Sequence, residues 1–191
     1  MSKKLIVCLT GMPGAGKSTV AFFLKEKGFL VVTMGDAVRE EAKRRGLEPT
    51  DINLGKLMLK LRHDLGPAAV GHIVMQKLER ENGNSSNVVI DGIRSISEVE
   101  VLKKIGHVKL LAIHASQGTR FKHLKDRGRS DAPTNSYEFA GRDKRELSIG
   151  ISEAIALADE TISNNDLTLE QLKERVYDIV KRWLEEIESK S

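Results

Sequence analysis

Near the start of the chain, Gly11-Met12-Pro13-Gly14-Ala15-Gly16-Lys17-Ser18 fits the pattern G-x-x-x-x-G-K-[ST]. The residue types explain what such a segment can do. Glycines let the main chain curl until successive N–H groups point inward at phosphate oxygens. A helix that begins where the loop ends adds its positive N-terminal pole. Lys17 reaches the β and γ phosphates as a point charge, and Ser18 offers a hydroxyl to Mg²⁺. With Thr19 beside them, Gly11, Met12, Pro13, Gly14, Ala15, Gly16, Lys17 and Ser18 are the expected ATP contacts.

Three further groups could complete a phosphoryl-transfer site. Val88-Val89-Ile90-Asp91-Gly92 places an acid where a buried strand ends, and α/β sheets bind ligands at that crevice. Asp91 is therefore expected, with Ser18, to hold the metal. Gly35-Asp36-Ala37-Val38-Arg39 opens a helix after a second strand. Asp36 is either a helix cap or faces the acceptor, with Arg39 one turn on gripping an acceptor anion. Arg94, three residues past Asp91, would share that anion. The third group is basic: Arg120, Lys122, His123, Lys125, Arg127 and Arg129 stand against the single acid Asp126, with Arg142 and Arg145 further on. It is a solvated helix face, an RNA patch, or a lid whose arginines close over the triphosphate. No aromatic residue lies between 122 and 136 to stack on bases, which argues against RNA. Under the lid reading Arg120, Arg127 and Arg129 are its arms. The expected catalytic set is Lys17, Asp36, Asp91, Arg129 and Arg142; the expected acceptor contacts are Asp36, Arg39 and Arg94.

These groups need a scaffold. Leu5–Leu9 and Val88–Ile90 are continuous apolar runs, as strands buried on both faces must be. Leu30–Thr33, Val108–Ile113 and Glu160–Ser163 are three more strands. Helical patterns separate them, which predicts a five-stranded parallel sheet between two helical layers, an α/β/α sandwich. Residues 53–81 read as helical with a break at Gly66-Pro67. Residues 168–188 carry an apolar stripe of Leu169, Leu172, Val176, Ile179, Val180, Trp183, Leu184 and Ile187, started by a Thr168-x-x-Gln171 capping box. That stripe, Trp183 included, reads as core.

The 191 residues suit one domain, residues 1–191. Basic residues number 31 and acidic 27, and the resulting +4 is too small to announce a nucleic-acid partner. Cys8 is the only cysteine, so neither an internal disulfide nor a cysteine-based zinc site is available. The apolar runs are too short for a signal segment or a membrane span, and a cytoplasmic protein is expected.

Together these segments resemble P-loop small-molecule kinases of the adenylate kinase and dephospho-coenzyme A kinase group, above all a largely archaeal branch of it. Val32–Arg39 is similar to the segment of nucleoside monophosphate kinases that binds the acceptor nucleotide. Asp91-Gly92-Ile93-Arg94 is similar to their Asp-Gly-x-x-Arg element, shortened by one residue. Arg127–Asp131 with Arg142 resembles their lid, and Ala158–Asn164 the segment before the last helix. The resemblance implies a P-loop NTPase fold with a helical acceptor-binding insertion at about 35–85 and a small lid at about 116–147. It also implies Mg-ATP as donor and a nucleoside monophosphate or dephospho-coenzyme A as acceptor. The alternative is a regulatory NTPase that signals to a protein partner. Against a GTPase switch, residues 163–166 read Ser-Asn-Asn-Asp rather than Asn-Lys-x-Asp, and residues 35–85 hold no Asp-x-x-Gly. Oligomeric state is not written in the sequence.

Overall fold

A computed structural model describes residues 4–81, 87–126 and 133–189. The strands are β1 (Leu5–Thr10), β2 (Leu30–Thr33), β3 (Val88–Ile93), β4 (His107–His114) and β5 (Glu160–Ser163). The helices are α1 (Lys17–Glu26), α2 (Met34–Arg44), α3 (Asp51–Leu65), α4 (Ala69–Glu81), α5 (Ile96–Leu102), α6 (Gln117–Asp126), α7 (Ser136–Ile149), α8 (Ile151–Ala156) and α9 (Leu169–Glu188). The strands form one sheet in the order β2-β3-β1-β4-β5, and every neighbouring pair is parallel.

The central strand divides the core in two. Successive strand side chains point to opposite faces. Leu5, Val7 and Leu9 therefore pack with Val20, Phe23 and Leu24 of α1 and with Leu172, Val176, Val180 and Trp183 of α9. Ile6 and Cys8 pack on the other face with Met34 and Val38 of α2, Leu57 and Leu61 of α3, Val74 and Leu78 of α4, and Leu102 of α5. This is the predicted sandwich. Burial pushes the Cys8 thiol well above its ordinary value, helped by the negative charges of Glu98 and Asp159.

Local signals act as read. The helical stretch breaks at Gly66-Pro67 into α3 and α4. In the capping box, Gln171 N–H donates to Thr168 Oγ1 at 3.2 Å and Thr168 N–H donates to Gln171 Oε1 at 2.9 Å. Trp183 is buried, but Leu169 is 62% exposed and does not join the stripe's core face. It is the first residue of α9 and lies beside the phosphate loop, past the edge of the packed layer.

One irregularity bears on the site. Leu9 pairs with Asp91 but Thr10 pairs with Ile93, so Gly92 is an extra residue in β3. A bulge of this kind re-aims the side chains beside it. Thr10 Oγ1 closes the gap by donating to the Ile93 carbonyl at 3.0 Å.

Candidate active site

The loop from Gly11 to Gly16 leaves β1 and ends at the first turn of α1. Gly16 is the N-cap of α1, at φ +109°, and no side chain caps the helix there. The unsatisfied N–H groups of the first turn are thus turned into the loop. A Cβ on Gly14 would run into the Arg120 carbonyl oxygen, and one on Gly16 into Asn164 Nδ2. The glycines are required by close approach as well as by backbone angle.

Five successive carbonyls of this loop are held by side-chain donors. Lys17 Nζ donates to Gly11 O at 2.6 Å and to Met12 O at 3.2 Å. Arg120 Nη1 donates to Pro13 O at 3.1 Å, and His123 Nδ1 to Gly14 O at 3.0 Å. Asn164 Nδ2 donates to Ala15 O at 3.0 Å. With its carbonyls engaged in this way, the loop can turn amides toward a ligand, although the Ala15 N–H itself bonds back to the Met12 carbonyl at 3.2 Å. Such a row of amides is an anion cradle.

Lys17 sits at the mouth of this cradle. Burial lowers its pKa from 10.5 to about 8, opposed by the negative charge of Asp91. Arg94 and Arg142 push it down further, whereas Glu146 works the other way. Next to it, Ser18 Oγ donates to Asp91 Oδ2 at 2.9 Å. Hydroxyl and carboxylate are hard oxygen donors, few in number, and fit an ion that keeps water and phosphate ligands, as Mg²⁺ does.

A cavity of about 150 Å³ joins this donor end to the helix after β2. Lys17, Ser18 and Asp91 line it together with Asp36, Arg39 and Arg94. Thr33 caps α2, its Oγ1 accepting from Asp36 N–H at 2.9 Å, so Asp36 is not the cap. Its carboxylate instead accepts from Arg39 Nη1 at 2.9 Å. Arg142, from α7, reaches the same cavity. A second cavity, of about 450 Å³, lies on the other side of Lys17 and Ser18. Thr19, His123, Asn164 and Leu169 border it.

The basic segment divides. Arg120 is not the open arm expected of a lid. It is 6% exposed, its guanidinium forms a fork on Asp143 at 2.8 and 2.6 Å, and its third contact is the Pro13 carbonyl. A buried guanidinium needs a carboxylate partner, and this one ties α6 to α7 behind the loop. Arg127 and Arg129 lie outside the described residues.

Two acids of the site escape sequence reading. Glu146 accepts from Arg94 Nε at 2.7 Å and is 4% exposed. Burial works against its charge, but the Arg94 guanidinium holds the carboxyl below its ordinary range. For Arg94 too burial opposes the charge, and Glu146 raises its pKa above the ordinary value nonetheless. Glu98, fully buried, accepts the N–H of Arg94 at 2.8 Å and that of Ser95 at 3.3 Å, and pairs with Arg62. Ser95-x-x-Glu98 has capping-box spacing, a signal for Glu98 as a helix start but not as a partner of the site. Nothing in the spacing marks Glu146.

A parallel sheet of this order, with an anion cradle between its central strand and the next helix, defines a P-loop protein of kinase-like architecture. A family model described as an AAA domain matches residues 10–139. A UPF0200 protein of Pyrococcus abyssi is 44% identical over 183 residues, covering 94% of this chain and 97% of its own. One from Methanocaldococcus jannaschii is 43% identical over 160 residues, with 84% and 81% covered. The chain belongs to the UPF0200 family, within the P-loop proteins that the AAA-domain model describes. Among solved structures, TT1252 from Thermus thermophilus matches with a TM-score of 0.66 at 18% identity, covering 94% of this chain and 98% of that one. A shikimate kinase from Acinetobacter baumannii, solved with shikimate, matches with a TM-score of 0.61 at 17% identity, covering 95% of each. At such identities the likeness is one of fold. Among the described residues no helix is long and apolar enough to cross a membrane.

Proposed function

We propose that this protein is a kinase that transfers the γ-phosphoryl group of Mg-ATP to a small nucleotide-like acceptor, a nucleoside monophosphate or dephospho-coenzyme A. The observation that carries the reading is the single cavity that Lys17, Ser18 and Asp91 line together with Asp36, Arg39 and Arg94. A bare hydrolase needs only the first three. A kinase needs both walls within reach of one phosphoryl group.

The loop amides and Lys17 would hold the donor phosphates, exchanging the Gly11 and Met12 carbonyls for phosphate oxygens at Lys17. Ser18 and Asp91 would hold Mg²⁺, which when bound neutralises charge between the β and γ phosphates. Arg39 and Arg94 would fix the acceptor so that its oxygen lies in line with the bond to be broken. As that oxygen bonds to the γ-phosphorus, the bond to the β–γ bridging oxygen breaks and ADP leaves. With a hydroxyl acceptor the proton passes to Asp36; a phosphate acceptor needs no base. Arg142, and the segment that carries Arg127 and Arg129, would exclude water and offset charge in the transition state.

The test is a panel of nucleoside monophosphates and dephospho-coenzyme A with Mg-ATP, read by mass spectrometry of the products. One phosphorylated acceptor is expected. ADP formed without a phosphorylated acceptor across the panel would replace this reading with that of a regulatory NTPase.

A further inference from the structure

A buried carboxylate in a cavity meant for polyanions repels its own ligands, so Glu146 needs a reason to be there. Stability is a poor one, because buried ion pairs are often no better than apolar replacements. Its geometry suggests another. Glu146 takes one edge of the Arg94 guanidinium, with Nε at 2.7 Å from Oε2 and Nη2 at 3.4 Å from Oε1. Arg94 Nη1 donates to the Gly92 carbonyl at 3.0 Å. A guanidinium has five N–H bonds. Among the described residues three are engaged, which leaves one N–H on each terminal nitrogen. Arg94 and Glu146 both line the cavity, so those two N–H groups stand at its wall. The main chain of Arg94 is fixed as well, by the carboxylate of Glu98, itself paired with Arg62.

We infer that Glu146 is a positioning residue: by occupying the side edge of Arg94 it turns the remaining two-pronged edge of that guanidinium to an anionic oxygen of the acceptor. The inference rests on the kinase reading and sharpens it. The group recognised is doubly accepting, a pair of phosphate or pyrophosphate oxygens of the acceptor, met by a planar fork that cannot swing away. Glu146 lies on α7, so the fork is also tied to that helix. A flexible cation would attract the same anion without fixing its direction.

The test compares Glu146→Gln, Glu146→Asp and Arg94→Ala with the parent chain, using whichever of AMP or dephospho-coenzyme A the parent phosphorylates. Glu146→Gln should raise the acceptor KM about tenfold, the scale of one misdirected charge-assisted hydrogen bond. The ATP KM should rise several-fold less than the acceptor KM. Glu146→Asp keeps the charge and should fall between the two; it carries the same test if the glutamine variant does not fold. On the Arg94→Ala background, Glu146→Gln should add nothing further. An unchanged acceptor KM, an equal rise in both KM values, or additive effects of the two substitutions would each overturn the inference and leave the kinase reading standing. A parent chain that phosphorylates no acceptor overturns both.

Discussion

In the proposed kinase the donor's part of the cavity is built from loop main chain with Lys17, Ser18 and Asp91, and the acceptor's part from side chains alone. Gly14 and Gly16 leave the loop backbone no room to be anything else, and the carbonyls of Pro13, Gly14 and Ala15 are pinned by Arg120, His123 and Asn164. In the acceptor's part, Asp36 and Arg39 pair on one exposed turn of α2, and Arg94 is set by two acids brought from α5 and α7. Backbone atoms are common to every sequence, so a wall made from them can serve only a ligand part common to many molecules, the polyphosphate tail. A wall made from side chains can be re-cut for one acceptor. Its ion pairs can be exchanged without touching the loop.

That contrast can be broken first at Lys17, the charged side chain nearest the loop carbonyls. Lys17→Ala should lower kcat by about 10³-fold, the scale for losing a preorganised charge at a developing anion. Its melting temperature should stay within a few degrees, because the change also removes a buried charge. Activity surviving this change would place the chemistry elsewhere. Next is Gly14→Ala, which sets a Cβ against the Arg120 carbonyl at φ +84°. Strain of about 1–3 kcal/mol should appear as weaker ADP binding by calorimetry, on the order of tenfold or more. If ADP binds as before, the wall is not the rigid backbone described here.

The acceptor wall should answer differently. Arg39→Ala should raise the acceptor KM about tenfold with little effect on the ATP KM. Its half-exposed pair with Asp36 is worth only about 0.2–1 kcal/mol of stability. A fall in thermal stability without a KM change would make Arg39 a structural residue.

The smallest signal is a proton. Lys17 has its folded pKa near 8, below its ordinary 10.5. Between these values the unfolded chain holds a proton that the folded chain has lost, so this lysine makes stability rise with pH across that window. Bound phosphates favour the charged ammonium. ADP binding at about pH 9 should therefore take up a fraction of one proton, measured by calorimetry in buffers of different ionisation heat. The uptake should vanish in Lys17→Ala.

Much of this was legible because of where each part lies. β1 and β3 are buried on both faces and read as unbroken apolar runs, and α9 is long enough to show its stripe. Helices α5 and α8, of 7 and 6 residues, are too short to show a period in the sequence. The phosphate loop was legible because backbone curvature demands glycines at fixed spacing. The proposed acceptor wall was legible in Asp36 and in its cations. The partners of Arg94, Glu146 and Glu98, come from other elements, and an acid among charged neighbours on α7 looks the same in sequence whether it faces water or Arg94. Arg120 was misjudged for the same reason: only its distance from Asp143 reveals that it is already engaged.

The fully buried sulfur of Cys8, in the middle strand and protonated well past neutral pH, is invisible to thiol reagents while the chain is folded. Any second cysteine added to the surface is then the sole labelling point. A dye carried at position 137, where Tyr137 is 87% exposed at the start of α7, would follow that helix during nucleotide addition with no background from the native thiol.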